Sequence, residues 1–288
     1  MARITAISSL GWAHYTLYEA LPRIAEFGFR RVEIASFFSY CFHFNFGSPT
    51  PAQLRKMLDS YGMVPICLNY CPAYYYAWKQ EDVERFIHDM RRKIEQLGEV
   101  GIPMMTMPFG MRNDREDQDR QLEIAAKAFD TVAKIGEKYK VKMLIEVPHL
   151  YDIIYRPEAA LKVFSMLESD NVGALVDSSH WGIINYDLDE FLSCLGSRLW
   201  HVHLRDSAGP DTGDMKQMLE LTPGSGTVDF SKFGSALDHA GYMRDVSIEF
   251  EYRDMTFEAI EHEYRKGFAH LADCGWDFPE EVKSKKIF

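Results

Sequence analysis

Eight strand-like runs alternate with amphipathic helical runs, and this alternation restricts the fold more than any other feature of the chain. The strand-like runs are short and mostly apolar, and they cover residues 4–10, 31–36, 64–70, 104–110, 142–147, 173–179, 199–206 and 245–251. Between them, residues 16–28, 50–62, 81–101 and 115–139 place apolar side chains at helical spacing. Strand–helix alternation predicts parallel strands. Eight such units predict an α/β fold in which residues 1–288 form a single (β/α)8 TIM barrel domain.

Charge and hydropathy argue against several classes of protein. The 288 residues are 47% apolar and carry a formal net charge of −11, with no Lys/Arg cluster beyond short pairs. Proteins that bind nucleic acids or anionic membranes usually present a basic patch, so we expect neither partner. No run approaches the 18 or more apolar residues of a membrane-spanning helix. The chain also begins with a strand-like pattern rather than a signal peptide.

Cysteine usage indicates a reducing compartment. The five cysteines are scattered and no Cys-x-x-Cys occurs, so they are expected to be reduced and mostly buried. We therefore expect a cytoplasmic protein.

Four polar residues stand at the ends of the last four predicted strands. They are Glu146, Asp177, His203 and Glu249. A parallel barrel presents its functional residues at the carboxyl ends of its strands, so these side chains are expected to meet. Three carboxylates and one imidazole suit a hard divalent cation. Mn²⁺ is the preferred ion, and Mg²⁺ and Co²⁺ are alternatives.

Strand alternation ranks the candidates on the last two strands. His201, His203 and Arg205 share one face, and His203 is the better ligand because it lies nearer the rim. We expect His201 to be a hydrogen-bonded core histidine and Arg205 to hold a substrate oxygen. Glu249 is preferred over Glu251, which is either a partner within the site or a solvated residue.

Three further polar residues follow strand ends. His180 comes three residues after Asp177 and can overhang the site. His149 and Asp152 lie in the loop after Glu146, where either can contact substrate or act as an acid or base. The alternative for each is an ordinary polar loop residue.

Two long loops, residues 69–80 and 207–229, are expected on the same face of the barrel. Long loops in that position tend to be lids or substrate walls, although an oligomer contact or a passive cover is the alternative. Aromatic residues are dense in 37–46 and 70–78, and Trp78 is among them. Such rings can stack on a sugar or on an aglycone ring, or can simply pack within the loop.

Together these motifs resemble the xylose isomerase-like TIM-barrel family, which includes ketose 3-epimerases and inosose dehydratases. The resemblance rests on Ile-Glu at 145–146, Asp-x-x-His at 177–180, His-x-His-Leu-Arg-Asp at 201–206, Gly-x-Gly-x-Val-Asp-Phe at 224–230 and Ile-Glu at 248–249. It implies one divalent ion bound by Glu146, Asp177, His203 and Glu249, with two substrate oxygens completing the shell.

The resemblance also implies an activity. It implies a metal-dependent sugar isomerase or epimerase that acts on a keto sugar by proton abstraction and a metal-stabilised enediolate. Glu146 and Glu249 would move protons on opposite faces of the sugar, while His180 and Arg205 would contact it. Ketose epimerases tend to carry a second glutamate six residues after the first, where this chain has Asp152.

A lyase is the alternative on the same metal site. Proton removal next to a ketone can be followed by loss of a β-substituent, as in a dehydratase or an enzyme that cleaves 3-keto-glycosides or C-glycosides. His149 and Asp152 favour this alternative, because elimination needs a base and an acid for the leaving group.

The remaining expectations concern partners. A small carbohydrate is the expected substrate, a homo-oligomer is the expected assembly, and a second, different subunit is an alternative. Apurinic endonucleases share the barrel, but they resemble one another in a three-zinc cluster with histidines on strands three and four. This chain has Asn69-Tyr70 and Pro108-Phe109 there. The complete set of four ligands argues against a non-catalytic barrel.

Overall fold

Parallel strands close into a barrel in the computed structural model, which describes residues 3–45, 47–149, 152–184, 186–209 and 221–286. Within these ranges the barrel strands are β1 (Ala6–Ser8), β2 (Arg31–Phe37), β4 (Val64–Cys71), β5 (Met104–Thr106), β6 (Lys142–Glu146), β7 (Val172–Asp177), β8 (Leu199–Leu204) and β9 (Val246–Ile248). Closure follows from β1, which pairs in parallel with both β2 and β9. A short strand, β3 (Cys41–Phe42), adds antiparallel to β2. The predicted eight-stranded α/β barrel is confirmed.

Helices surround the barrel. In chain order they are α1 (Leu17–Glu26), α2 (Pro51–Ser60), α3 (Gln80–Val100), α4 (Gln118–Tyr139), α5 (Pro157–Met166), α6 (Ser178–Trp181), α7 (Leu188–Leu195), α8 (Phe230–His239), α9 (Phe257–Asp273) and α10 (Glu280–Ser284), with 3₁₀ turns at Ser9–Trp12 and Gly196–Arg198. The four predicted helical runs become α1 to α4. Thr50 and Gln53 form a capping box at the start of α2, and Gly101 ends α3 at a φ of 82°. Among the described residues, no helix is long and apolar enough to cross a membrane.

Inside the barrel an apolar floor lies beneath the polar rim. Leu144 and Leu175 are buried in one apolar cluster with Ala6 and Cys67. Residues two apart on a strand share a face, so Glu146 lies one step above Leu144, and Asp177 lies one step above Leu175. The sequence of each strand therefore places its apolar part below and its charged end at the open side.

Asp206, just after β8, holds residues 224–228 next to the end of that strand through hydrogen bonds. Its carboxylate is buried and accepts hydrogen bonds from the backbone N–H groups of Gly224 (2.9 Å), Gly226 (2.8 Å) and Val228 (3.1 Å). A Cβ on Gly226 would lie 2.2 Å from the carbonyl oxygen of Ser207, which explains the glycine in that motif. Residues 210–220, the middle of the predicted 207–229 loop, lie outside the described residues.

Replacing Asp206 with alanine should lower the free energy of unfolding by roughly 3 kcal/mol, because three backbone N–H groups lose their charged, buried acceptor. Urea unfolding followed by circular dichroism measures this change. Asp170→Ala is the matched control, since the Asp170 side chain is fully exposed and pairs with Arg198 at the surface. It should change stability by less than about 1 kcal/mol. Equal effects of the two substitutions would contradict this stabilising role of Asp206.

Lys93, on α3, has a fully buried amino group beneath the loop that follows β3. Its Nζ donates to the carbonyl of Phe44 at 2.9 Å and lies 4.2 Å from the centroid of the Phe44 ring and 5.2 Å from that of Tyr70. Burial, assisted by Arg92, lowers the pKa of Lys93 from 10.5 to about 7. The folded protein therefore favours the neutral amine at alkaline pH.

The contribution of Lys93 to stability should rise with pH between about 7 and 10.5, where the unfolded chain binds a proton that folded Lys93 lacks. The expected contribution is up to about 1.4 kcal/mol per pH unit. Urea unfolding at several pH values in this window measures it as the difference between the wild type and Lys93→Met, because other titrating groups, such as the buried Cys41 and Cys71, are common to both proteins. Lys134→Met, at a largely exposed side chain on α4, should leave the slope unchanged.

Candidate metal and substrate site

The four predicted ligands come together at the carboxyl ends of the strands. Asp177 and His203 are register partners on the adjacent strands β7 and β8, and both are fully buried. Donor atoms of Glu146, Asp177 and His203 all lie within 4.8 Å of one another. Glu249 joins them, with its Oε2 lying 3.1 Å from His203 Nδ1. The structure therefore gathers three carboxylates and one imidazole in a single buried cluster.

Glu33 on β2 orients the imidazole, and the sequence analysis missed it. Its Oε2 accepts from the Nε2 atoms of His201 and His203, at 2.9 Å each. Burial alone would raise the pKa of Glu33, but His203 and His201 hold it below its usual value. His201 is thus the hydrogen-bonded core histidine that was expected. Glu33 is the one carboxylate in the strand-like run 31–36, and this is the sequence signal that could have identified it.

The orientation set by Glu33 directs the other nitrogen of His203 towards the carboxylates. His203 Nδ1 is buried and, although close to Glu249 Oε2, lacks hydrogen-bond geometry towards any described residue. A ring nitrogen whose partner nitrogen donates to a carboxylate is the usual arrangement of a metal-binding histidine. This buried nitrogen, which faces the Glu249 carboxylate without hydrogen-bond geometry, is the structural observation that fits a cation in the cluster.

Arg205 extends from the end of β8 into the acidic cluster. Its guanidinium donates to Asp177 Oδ2 (3.0 Å), to Glu251 Oε2 (3.0 Å) and to Ser179 Oγ (3.2 Å). Burial alone would lower the pKa of Arg205, but Asp177 and Glu249 raise it above its usual value. Arg205 lines the cavity, as a substrate-binding residue must, and it is also anchored within the protein.

Glu251 is a partner within the site rather than a solvated residue. It accepts hydrogen bonds from Arg205, from Tyr40 Oη at 2.6 Å and from Arg253 at 2.5 Å. These contacts decide between the two roles considered for Glu251, a partner within the site and a solvated residue, in favour of the first. Its carboxylate fixes the outer side of the Arg205 guanidinium.

Glu249 is held from the opposite side of the barrel. Asn69, on β4, donates to Glu249 Oε1 at 2.5 Å, and Asn69 in turn accepts from Thr106 at 3.3 Å. Burial raises the pKa of Glu249 above its usual value, although His203 and Arg205 act in the other direction. One oxygen of Glu249 is therefore fixed by Asn69, while the other faces the cluster.

Glu146 is bordered by two histidines. His180 Nε2 lies 3.4 Å from Glu146 Oε1, and the ring centroids of His149 and His180 are 4.6 Å apart. Burial alone would raise the pKa of Glu146, but the hydrogen bond from His180 and the nearby His149 hold it below its usual value. Burial lowers the pKa of His149 to about 4. Its Nδ1 is buried without a hydrogen-bond partner among the described residues.

Asp152 and Trp78 occupy different environments. Asp152 lines the cavity and is buried, and its oxygens accept from the backbone N–H groups of Phe109, Gly110 and Ile154. Burial raises its pKa to about 7. The contacts show that Asp152 also ties the loop after β6 to the loop after β5. Trp78 packs on Tyr76, with ring centroids 4.7 Å apart, and is not among the described residues that line the cavity.

These side chains open onto a cavity of about 180 Å³. Of the predicted site residues, six line it: Glu146, His149, Asp152, His180, Arg205 and Glu249. Asp177 and His203 lie beneath them and are fully buried. Tyr70, Cys71, Ala73 and Tyr74 contribute a wall, so the 69–80 loop borders the cavity. The segment 37–46 contributes Phe37 to Tyr40, and Phe46 lies outside the described residues.

The donor set fits a divalent cation. The carboxylates of Glu33, Asp177 and Glu249 are buried and that of Glu146 is partly buried, and together they outnumber the one buried guanidinium among them, that of Arg205. Buried charge is stable only when it is paired or coordinates a metal. Oxygen donors with one imidazole match a hard or borderline ion rather than a thiolate-binding one.

Comparison with known proteins identifies relatives along most of the chain. A family model described as xylose isomerase-like TIM barrel matches residues 21–274. The inosose isomerase of Bacillus subtilis (strain 168) is 27% identical over 166 residues, which are 55% of this chain and 56% of that protein. The inosose dehydratase of Geobacillus kaustophilus (strain HTA426) is 22% identical over 261 residues, 83% of this chain and 81% of that protein. The chain thus spans about half the length of the first of these relatives.

Solved structures share the fold. The IOLI protein with a bound zinc atom superposes with a TM-score of 0.78 at 18% identity, covering 93% of this chain and 98% of that one. The D-psicose 3-epimerase with D-tagatose from Clostridium cellulolyticum H10 gives 0.73 at 16% identity, covering 95% and 99%. The 3-keto-D-glucoside 4-epimerase from E. coli gives 0.74 at 18% identity, covering 94% and 100%.

Proposed function

Because the chain belongs to the xylose isomerase-like TIM-barrel family, we propose that it is a divalent-metal-dependent isomerase or epimerase of a keto sugar. The observation that carries this proposal is the pair Glu146 and Glu249, both lining one cavity above the buried Asp177 and His203. Glu146 ends β6 and Glu249 follows β9, and β7 and β8 lie between these two strands in the barrel. The two glutamates therefore reach the cavity from different sides. A substrate between them meets a carboxylate on each side.

The metal would be held by Glu146, Asp177, His203 and Glu249. Mn²⁺ is the proposed ion, with Mg²⁺ and Co²⁺ as alternatives, and the zinc in the structure of IOLI supports a divalent ion in this fold. When bound, such an ion polarises a carbonyl oxygen and stabilises negative charge that develops beside it.

The protein side chains supply proton transfer and orientation. A carbon-bound proton next to a carbonyl is removed by one glutamate, and the other glutamate returns a proton to the opposite face. His180 and Arg205 lie on the cavity wall between them, where they can donate to substrate oxygens. The anchoring of Arg205 by Asp177 and Glu251 keeps its guanidinium in place before the substrate arrives.

A lyase is the second candidate, and one observation favours it. His149 lines the cavity with a buried ring nitrogen that has no hydrogen-bond partner among the described residues, and Asp152 lies nearby. These two groups provide the unsymmetrical base and acid that a β-elimination needs. The likeness to an inosose dehydratase supports this candidate as well.

Proton NMR in D₂O separates the candidates. The Mn²⁺-loaded protein is incubated with free ketoses and with 3-keto glycosides, and the products are then analysed free of the metal. Deuterium next to the carbonyl together with a new stereoisomer or carbonyl position establishes the isomerase or epimerase. Release of water or an aglycone with an unsaturated keto sugar establishes the lyase and assigns His149 as the base. Metal-loaded protein that exchanges no proton of any of these substrates contradicts the proposal.

The proposal includes a small carbohydrate as the substrate, and neither nucleic acid nor membrane as a partner. We further propose a single-domain, cytoplasmic homo-oligomer, with a second, different subunit as the alternative assembly.

A further inference from the structure

The two sides of the cavity differ in chemistry. Charged and imidazole side chains come from the ends of β6 to β9 and the loops that follow them, as described above. The opposite side is formed by residues at or after the ends of β2, β4 and β5, and its large side chains are mostly apolar. They include Phe37, Phe38, Tyr74, Met107 and Met111. A ligand that fills the cavity therefore meets polar groups on one side and an apolar wall on the other.

The outer part of this apolar wall is open to solvent. Phe38 is 41% exposed, Tyr74 is 56% exposed and Met111 is 40% exposed. Phe38 and Tyr74 also touch edge to face, with their ring centroids 5.0 Å apart. Large apolar side chains that are exposed together at a cavity mouth indicate a surface that something apolar covers. We call Phe38, Tyr74 and Met111 the apolar rim.

Two polar side chains near the apolar wall, those of Tyr40 and Asn69, are already engaged with the protein. Tyr40 donates to Glu251 and Asn69 donates to Glu249, so both point their donors towards the charged side. A free sugar has hydroxyl groups around its whole ring. If it filled the cavity, some of these hydroxyls would be buried against the apolar wall without partners, which is unfavourable.

We propose that the substrate is a keto sugar carrying an aromatic substituent, with the sugar on the β6–β9 side and the aromatic ring against the apolar rim. Aromatic rings favour offset or edge-to-face contact with Phe38 and Tyr74, and the Met111 thioether also packs well on a ring. The sugar half of this inference rests on the proposed function, whereas the aromatic half rests on the rim alone.

Calorimetric titration with matched probes tests the inference. The probes are phenyl β-D-glucopyranoside and methyl β-D-glucopyranoside, which share one sugar and differ only in the substituent. The Mn²⁺-loaded wild type should bind the phenyl glucoside roughly tenfold more tightly, a reasonable contribution for one stacked ring. Phe38→Ser and Tyr74→Ser should each reduce this preference several-fold. Phe42→Ser is the matched control, because Phe42 is 53% exposed on β3 but is not among the described lining residues.

Three results would overturn the inference. They are equal binding of the two probes, no measurable binding of the phenyl probe, and a preference that survives both rim substitutions. Sedimentation of the same variants measures their oligomeric state and provides a further test. If Phe38→Ser or Tyr74→Ser dissociates an oligomer and leaves the probe preference intact, the rim is a protein interface instead.

The outcome is separable from that of the exchange experiment. A phenyl preference that depends on the rim, without proton exchange on any keto sugar, retains the aromatic subsite and rejects the proposed reaction. Exchange on free ketoses, with equal binding of phenyl and methyl probes, retains the reaction and rejects the subsite.

Discussion

Replacing Glu249 with glutamine should lower kcat/KM for the keto-sugar reaction by roughly 10³-fold, within the range for loss of a general acid–base group. The substitution keeps the shape of the side chain, and its amide oxygen can still accept from Asn69. It removes the carboxylate that exchanges a proton with the substrate. Steady-state kinetics with the substrate found by NMR measures the loss, and metal analysis shows how much of it follows from a weaker ion site.

The exchange reaction gives the substitution a sharper readout. If Glu146 and Glu249 serve opposite faces of the sugar, Glu249→Gln should retain deuterium exchange on one face while the epimerised product disappears. Glu251→Gln is the comparison two residues along the chain, because its single amide oxygen can still accept from either Tyr40 or Arg205 and no proton transfer is assigned to this residue. Its loss should be about tenfold or less. Full activity of Glu249→Gln would remove Glu249 from the proposed mechanism.

Replacing Glu33 with alanine should weaken binding of the divalent ion by about 10–100-fold, the usual effect of losing the partner of a metal-binding histidine. Without Glu33, the Nε2 atoms of His201 and His203 lose their common acceptor, and the orientation of the His203 ring is no longer fixed. Competition with a metal-sensitive dye measures the affinity. The Glu33→Ala protein should show this weaker metal binding even when no substrate is present.

A second variant separates orientation from folding. Glu33→Gln keeps one oxygen that can accept from both histidines but removes the negative charge, so its loss of affinity should be intermediate. Near-UV circular dichroism of the metal-free variants checks that the barrel has formed. Unchanged metal affinity in a folded Glu33→Ala protein would contradict the orienting role.

Sequence periodicity was sufficient for the barrel and for the clustering of the four proposed metal ligands. The strands are buried on both faces, so each is a short apolar run, and a charged residue at its end stands out. Glu146, Asp177, His203 and Glu249 were visible for this reason. Their convergence followed from one rule, that parallel strands of a barrel end on the same face.

Pairing across the barrel could not be derived in the same way. Asn69 was noted only as a strand end without histidine, because its partner Glu249 lies 180 positions further along the chain. Glu33 stood in a recognised strand, but its acceptor role depends on the closed barrel. Loop residues were harder still, since Trp78 lies in an aromatic stretch with no periodicity to say which ring faces the cavity.

The bonds from Asn69 to Glu249 and from Glu33 to His203 connect positions 180 and 170 apart. No growing chain can form the ion site before its last strand has been made and has closed the barrel. Contacts of such long range are among the latest and slowest to form during folding. A cation that binds there stabilises only the finished molecule, by an amount that grows with its concentration. Uptake of a metal at this site would therefore signal that β9 has been made and that the barrel has closed.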